Sequence, residues 1–410
     1  MKIFKILAVA LVAALGFTAC DNKEPEHIYD DHSADLAGTW TCITGNYAEA
    51  LIINADGTAV SYGVEDGEYW ENVRGTVVAE GGKITMTFED DDNFTGHFDI
   101  IPGVTFSLFE DNGERYTYQY CKEDLSEEII GMWVCQNSFA NTENDMLIQT
   151  FKEDGTSIMT GYISDMEDFV TNAGGCTYKV IGDLFINILP ADAVAGGVPP
   201  YMAMRLEYAP NGTGYGDIMT FTHYLANETK TTDKFLRVKQ NLNLTGTYGY
   251  KSAYVTNAKG KDEDFTIFGN TFNIAKIKPY DFDKLFSADL FSLDLNATSI
   301  KQNFNPVGEN EGFPTPITVD GNKVTLDFSA ENPACRKVDM YMFQDANNSQ
   351  LHIYMPTKSF INYFANLEIL TMLLEDKINP TDAAAVEKVF TDMGARVESI
   401  NVSLVFKARK

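Results

Sequence analysis

One short phrase recurs three times along this chain, and this repetition constrains the fold more than any other feature. Each copy has a glycine, any residue and a large aromatic residue, and the copies are Gly38-Thr39-Trp40, Gly131-Met132-Trp133 and Gly246-Thr247-Tyr248. An Asp-Gly pair between apolar runs follows the first two copies, at Asp56-Gly57 and Asp154-Gly155. Because self-similarity at this spacing marks one supersecondary unit per copy, we expect three successive domains.

The repeated units have the pattern of strands rather than helices. Asp-Gly between apolar runs predicts a tight hairpin, because glycine tolerates the positive φ that such a turn requires. In the third unit Val324, Leu326 and Phe328 alternate with polar residues, which predicts a strand with one buried face. Several short strands with turns between them favour barrels or sandwiches over a parallel sheet. The predicted fold class is mainly β, with antiparallel barrels or sandwiches in tandem.

Short polar segments before the second and third Gly-x-aromatic phrases indicate the domain boundaries. We assign domain 1 to residues 36–124, domain 2 to residues 125–241 and domain 3 to residues 242–410. Domain 3 is the longest and is the one with convincing helical periodicity. Its apolar residues recur at helical spacing and predict a short helical insertion, with helices near 359–376 and 381–393, before the final strand.

The first residues have the pattern of an export signal. Lys2 and Lys5 precede an apolar run over residues 6–17, which is shorter than the roughly 20 residues of a permanent membrane span. Phe17-Thr18-Ala19-Cys20 then resembles the lipobox of bacterial lipoproteins, although Phe17 replaces the usual leucine. The resemblance implies that residues 1–19 are a signal peptide and that Cys20 is acylated. Two or more acyl chains give a stable membrane anchor.

An acidic, polar stretch follows the cysteine. Residues 20–35 have little apolar surface to bury and predict a flexible tether. An acidic run at this place resembles the export signal of surface lipoproteins in Bacteroides-type bacteria. It implies a lipid-anchored protein of the outer membrane that faces the cell surface. The alternative is retention at the inner membrane, which Asp21 directly after the cysteine favours in enterobacteria.

Charge and missing motifs exclude several function classes. With 31 basic and 59 acidic residues the formal net charge is −28, which repels nucleic acids and anionic lipid headgroups. The sequence contains no Gly-x-Ser-x-Gly elbow, His-Glu-x-x-His pair, Walker loop or EF-hand pattern. Its five histidines do not cluster with carboxylates at metal-binding spacing. We therefore predict a protein that is not an enzyme and that holds no metal or cofactor.

The three opening phrases, with a meander of hairpins and a closing strand, resemble the lipocalin and calycin superfamily. More narrowly, they resemble the lipocalin-like domains of surface lipoproteins from Bacteroides-type bacteria. The motif residues are Gly38 and Trp40, Gly131 and Trp133, and, with tyrosine replacing tryptophan, Gly246 and Tyr248. The resemblance implies that each tryptophan closes one end of a barrel and stacks with a basic residue of the last strand. Arg115 and Arg237 are the candidate partners.

Aromatic residues are the candidate ligand-binding surface. Tyr116, Tyr118 and Tyr120 lie at period two and so face one way, and Trp70 lies near a bend of the same domain. Such a stripe stacks on sugars or lines an apolar cavity. The alternative is that these rings fill a small barrel. We expect the protein to bind a small apolar molecule or a glycan. The alternative is a structural or adhesive surface protein with solid barrels.

Five cysteines remain after Cys20, so they cannot all pair within one chain. Cys42 and Cys121 lie on the presumed first and last strands of domain 1, which are neighbours if the barrel closes. A disulfide between them is sterically plausible, and two buried thiols are the alternative. Cys335 is expected to be free and buried.

Overall fold

The computed structural model consists of three antiparallel β-barrels in series, as the sequence predicts. It describes residues 33–45, 47–89, 93–109, 113–135, 144–163, 168–171, 175–195, 197, 199–210, 216–224, 229–287, 291–304, 314–330, 332–345 and 349–409. The predicted signal peptide and Cys20 lie outside these residues. Within this part of the chain no helix is both long and apolar enough to cross a membrane.

The first barrel is a simple meander of eight strands that closes through pairing of its first strand with its last. The strands are β1 (Gly38–Ile43), β2 (Tyr47–Ile53), β3 (Thr58–Glu65), β4 (Glu68–Glu80), β5 (Lys83–Phe88), β6 (Asn93–Ile101), β7 (Thr105–Phe109) and β8 (Arg115–Tyr120). The Asp-Gly hairpin predicted at Asp56-Gly57 joins β2 to β3, and Gly57 has the positive φ of 81° that this turn requires.

The second barrel is also a ring of eight strands, with a ninth strand on one edge. The strands are β9 (Gly131–Cys135), β10 (Asn144–Phe151), β11 (Thr156–Ile163), β12 (Asp168–Thr171), β13 (Cys176–Ile181), β14 (Leu184–Ile188), β15 (Tyr201–Ala209), β16 (Ile218–Tyr224) and β17 (Lys230–Val238), with the short helix α1 (Ala191–Ala195). Pairing of β10 with β11 closes the ring. Because β11 pairs with β12 at one end and β13 at the other, these two strands together take the place of β4 in the first barrel.

The third barrel closes through a long pairing of its first and last strands. Its strands are β18 (Gly246–Gly260), β21 (Phe291–Asn296), β22 (Ser299–Phe304), β23 (Pro314–Asp320), β24 (Lys323–Asp327), β25 (Lys337–Gln344), β26 (Gln350–Met355) and β27 (Val397–Ala408), with a separate hairpin of β19 (Asp264–Ile267) and β20 (Asn270–Asn273) and the helix α2 (Pro279–Phe286) after β18. The sequence did not predict this hairpin and helix. The predicted insertion is confirmed, because α3 (Thr357–Leu374) and α4 (Ala383–Arg396) precede β27.

The three Gly-x-aromatic phrases begin the first strand of each barrel. We call the end of the barrel at which they lie its closed end, because their buried aromatic rings fill it. Trp40 and Trp133 are fully buried, and each indole Nε1 donates to the carbonyl four residues earlier, at 2.8 Å and 2.7 Å. In the third barrel the Tyr248 hydroxyl accepts from Gln344 Nε2 instead, at 3.1 Å. The preceding glycines have φ between 120° and 145°, a region that side chains disfavour, which explains why glycine recurs at this position.

The two expected arginine partners behave differently. The Arg237 guanidinium lies over the Trp133 ring, with Cζ 4.8 Å from the centroid, as predicted. Arg115 does not contact Trp40, because it points to the outside of β8 and lies over Phe109. Tyr120 packs edge-on against Trp40 instead, with ring centroids 5.0 Å apart.

The three barrels pack against one another through their outer faces. Between the first and second barrels, apolar residues of β2 and β3 meet β13 and β14, and the buried ones are Ala48, Ala50, Val64, Ile181, Leu184 and Ile186. A polar cluster borders this patch, in which Asp183 pairs with Arg205 at 2.9 Å and accepts from Thr41 at 2.6 Å. Between the second and third barrels the buried residues include Val134, Leu236, Tyr341, Phe343 and Tyr354. Neighbouring barrels therefore bury apolar surface against each other.

The thiols of Cys42 and Cys121 are not bonded to each other in the structure, which therefore lacks the considered Cys42–Cys121 disulfide. The strand register explains the outcome. The backbone N–H of Cys121 donates to the carbonyl oxygen of Thr39, so Cys121 does not lie opposite Cys42. Cys42 points into the first core, whereas the Cys121 thiol points outward and donates to Asp183 of the second barrel at 3.0 Å. Cys335 is free and buried, as expected.

Candidate functional site at the mouth of the first barrel

A cleft of about 530 Å³ opens at the end of the first barrel, opposite Trp40. We call it the barrel-1 mouth, and its lining residues are Tyr47, Glu49, Ser61, Glu65, Asp66, Glu68, Tyr69, Trp70, Val73 and Phe88. The cavity inside the third barrel has a volume of only about 20 Å³, which is roughly the space of one water molecule. Of these two spaces, the barrel-1 mouth is therefore the one with room for a ligand.

A β-bulge turns Trp70 into the mouth. Ser61 pairs with Val73, but Gly63 pairs with Trp70, so β4 has one more residue than β3 between these two pairs. The extra residue is accommodated near Asn72, which has a positive φ of 57°. Because a bulge shifts the inward and outward alternation by one residue, Trp70 faces the interior together with Val73.

Gly63 provides the room that this indole needs. A Cβ atom at this position would lie 2.2 Å from Trp70 Cζ2 and 2.5 Å from the carbonyl oxygen of Ala48. The backbone oxygen cannot move away without breaking the sheet, so a side chain here would displace the indole. The bulge and this glycine together fix the position of Trp70.

Glu49 forms the floor of the mouth. Its carboxylate accepts hydrogen bonds from the hydroxyls of Tyr47 and Ser61, both at 2.6 Å, and from the hydroxyl of Tyr118. Trp70 Nε1 in turn donates to Ser61 Oγ at 2.7 Å. Burial and the neighbouring Glu49 carboxylate raise the pKa of both tyrosines well above their usual value, so their hydroxyls stay protonated donors.

The charge of the mouth has a single sign. Three carboxylates, those of Glu65, Asp66 and Glu68, lie around its rim, and no lysine, arginine or histidine is among its lining residues. Glu49 itself is only 8% exposed and forms no ion pair with any residue that the structure describes. The floor is therefore a buried carboxylate that is hydrogen-bonded but has no ion-pair partner in the part of the chain that the structure describes.

The candidate aromatic residues all face the interior of the first barrel, at different depths. Tyr120 packs on Trp40 at the closed end, Tyr118 contacts Glu49 below the mouth, and Tyr116 packs on Tyr47 with centroids 5.4 Å apart. Trp70 is the one candidate among the lining residues of the mouth. The three tyrosines are part of the core or pack against it.

Sequence reasoning missed Glu49, which the structure places at the centre of this site. A signal was present, because β2 alternates and its inward positions hold Tyr47, Glu49, Leu51 and Ile53. A carboxylate at a position that alternation assigns to the core breaks the local pattern, and such breaks are typical of functional sites.

The described residues of the other two barrels do not form this arrangement. By register, Leu147 pairs with Gly161 in the second barrel as Glu49 pairs with Gly63 in the first. The second barrel therefore has an apolar side chain where the first has the carboxylate. In the third barrel Tyr363 of α3 reaches Gln302 of β22 at 2.5 Å, so that the inserted helix packs on the barrel interior.

No cluster of three or more potential metal ligands occurs within the described ranges of the chain. The chain matches no protein-family model, and no curated protein matches it. The geometry of the mouth is therefore the main basis for assigning a function.

Proposed function

We propose that this chain is a membrane-anchored, surface-displayed lipoprotein that binds a glycan at the barrel-1 mouth and carries out no catalysis. The observation that carries the proposal is a cleft of about 530 Å³ in which aromatic rings and carboxylate oxygens meet. Trp70 and Tyr47 offer faces for stacking on sugar rings, and carboxylates accept hydrogen bonds from sugar hydroxyls. The volume lies within the usual range for small-molecule sites.

The polar lining favours a glycan over the apolar molecule that the sequence left open. A site for an apolar ligand is lined mostly by hydrophobic side chains, with few polar groups. Only Val73 and Phe88 among the ten lining residues lack a polar atom in the side chain. The apolar interior of the third barrel is too small for such a ligand.

The membrane anchor is the second part of the proposal and depends on Cys20 and its lipobox. The closed meander, the buried Gly-x-Trp phrases and the stacking of Arg237 on Trp133 support the resemblance to lipocalin-like domains of Bacteroides-type surface lipoproteins. Cys20→Ser should release the protein from the membrane fraction of its host. Unchanged fractionation of this variant would contradict the anchor.

A structural or adhesive role with solid barrels is the second candidate. The packed third barrel and the buried surfaces between barrels favour it. The two candidates differ in one testable respect. A structural array of solid barrels does not require ligand binding at the open mouth with its inward carboxylate, whereas the first candidate does.

Screening the chain without its signal peptide and Cys20 on a glycan array, followed by calorimetry, tests the proposal. Trp70→Ala should weaken binding of any glycan found by about tenfold or more, as expected for the loss of one stacking ring. Tyr254→Ala is the matched control, because this tyrosine is 48% exposed on the third barrel. No glycan bound, or equal affinity for Trp70→Ala and the unmodified protein, would overturn the proposal.

A further inference from the structure

We propose that the barrel-1 mouth selects a positively charged amine, so that the glycan it binds carries an unacetylated amino sugar. This inference rests on the proposed function and specifies the ligand of the same site. Its basis is the burial of the Glu49 carboxylate, the absence of an ion-pair partner for it among the described residues, and the direction of the hydrogen bonds around it.

The first step concerns charge. Glu49 is more than nine-tenths buried, yet its side chain faces the cleft and has no ion-pair partner among the described residues. A carboxylate in such a place loses much of its hydration, and hydrogen bonds from three neutral hydroxyls replace that hydration without supplying opposite charge. An ammonium group above the floor would supply it.

The second step concerns hydrogen-bond donors. The lining side chains that can donate are Tyr47, Ser61, Tyr69 and Trp70. All of them already donate within the protein: Tyr47 and Ser61 to Glu49, Tyr69 to Glu71 at 3.2 Å, and Trp70 to Ser61. The side chains of the mouth therefore offer acceptors and aromatic faces but no unused donor.

This inventory discriminates between an amine and its acetylated form. An ammonium group has three donors and no acceptor, so it requires only what the mouth offers. An acetamide has a carbonyl oxygen that needs a donor, and the lining side chains have none to spare. Among the described residues, Glu49 Oε1 accepts from Ser61 alone, and it retains capacity for a further bond.

The third step concerns the aromatic walls and the approach. The rings of Tyr47 and Trp70 lie beside the floor with centroids 6.3 Å apart, and a cation next to such faces gains cation–π attraction. At the rim, Glu65, Asp66 and Glu68 add negative charge in a chain whose formal net charge is −28. A cleft with charge of one sign raises the local concentration of oppositely charged ligands.

The experiment compares two oligosaccharides of equal length, one of β-1,4-linked glucosamine and one of its N-acetylated form. Calorimetry on the chain without its signal peptide and Cys20 is carried out at mildly acidic pH, at which the amines are protonated. We expect the glucosamine oligomer to bind at least about tenfold more tightly than the acetylated one. This comparison uses the unmodified protein and does not depend on the folding of any variant.

Glu49→Gln then tests the residue, because glutamine keeps the shape and removes the charge. We expect it to weaken binding of the glucosamine oligomer by at least about tenfold and to leave the affinity for the acetylated oligomer within about twofold. Glu80→Gln is the matched control, since Glu80 is an exposed carboxylate at the other end of strand β4. A thermal melt checks that both variants are folded.

The outcomes separate the inference from the proposed function. Equal binding of the two oligomers, or tighter binding of the acetylated or another neutral glycan, would overturn the amine inference and leave glycan binding in place. Equal weakening by Glu49→Gln and Glu80→Gln would indicate general attraction to an acidic protein and would also overturn the inference. Absence of binding to any glycan would overturn both.

Discussion

Asp183→Ala should destabilise the junction between the first two barrels. Asp183 lies in the turn directly before the second barrel's β14, where its carboxylate pairs with Arg205 at 2.9 Å and accepts from Thr41 and Cys121 of the first barrel. The Arg205 side chain is only 9% exposed. The substitution leaves the guanidinium with Gln119 and the Thr41 carbonyl as neutral acceptors and with no carboxylate partner in the described cluster.

The expected magnitude follows from this burial. Removing one partner of a buried ion pair costs about 3–5 kcal/mol, because the remaining charge stays in the protein without compensation. Urea unfolding, followed by calorimetry, measures the loss. Since Asp183 connects residues of both barrels, we also expect the transition of the first two barrels to separate into two.

Two further variants make the test specific. Replacing both partners, Asp183→Leu with Arg205→Met, should recover most of the loss, because no unpaired charge remains. Asp392→Ala breaks the pair of Lys388 and Asp392 on α4, whose side chains are 71% and 42% exposed, and should cost less than about 1 kcal/mol. A loss for Asp183→Ala no larger than that for Asp392→Ala would refute the reasoning.

Three further predictions concern the rest of the molecule. Phe364→Ala should lower the unfolding free energy of the third barrel by about 3–5 kcal/mol, because its ring is fully buried and stacks on Phe360, and a loss under about 1 kcal/mol in urea titrations would contradict this packing. Burial lowers the pKa of His352 from 6.5 to about 4, so stability should fall by up to about 3 kcal/mol as the pH drops from 6.5 towards 4, and His352→Gln should flatten that part of the profile. Burial raises the pKa of Cys42 to about 12, so this thiol should react with a maleimide only after unfolding, and labelling of the native protein at Cys42 would contradict its burial.

Local signals were sufficient to predict three antiparallel β units in tandem, as barrels or sandwiches, and the structure has barrels. Gly38 and Gly131 recur because each has a positive φ two residues before a buried tryptophan. The sequence shows this requirement as a repeated Gly-x-Trp phrase. The helices before β27 were also predictable, since a run of helical periodicity within strands has few alternative explanations. Asp382 caps α4 by accepting from the N–H groups of Ala384 and Ala385, so this boundary also has a local cause.

Features that depend on register were not predictable. Whether Cys42 meets Cys121 depends on which residue of β8 lies opposite each residue of β1, and a shift of one residue reverses the face. Trp70 faces the mouth because a bulge near Asn72 shifts the alternation of its strand by one residue. An asparagine within a strand pattern does not by itself predict a bulge. The acidic floor arises from strands that are distant along the chain, since Tyr118 of β8 meets Glu49 of β2.

The direction in which the chain enters the first barrel connects the proposed anchor with the proposed site. The 3-10 turn Ser33–Leu36 leads into β1, and the Leu36 carbonyl accepts from the buried Trp40, so the chain enters at the closed end. The barrel-1 mouth lies at the opposite end, formed by the start of β2 and the β3–β4 hairpin. The proposed lipid at Cys20 would therefore attach the protein through the chain that enters at the closed end. The mouth would then open away from the proposed point of attachment, on the side that the proposed glycan ligand can reach.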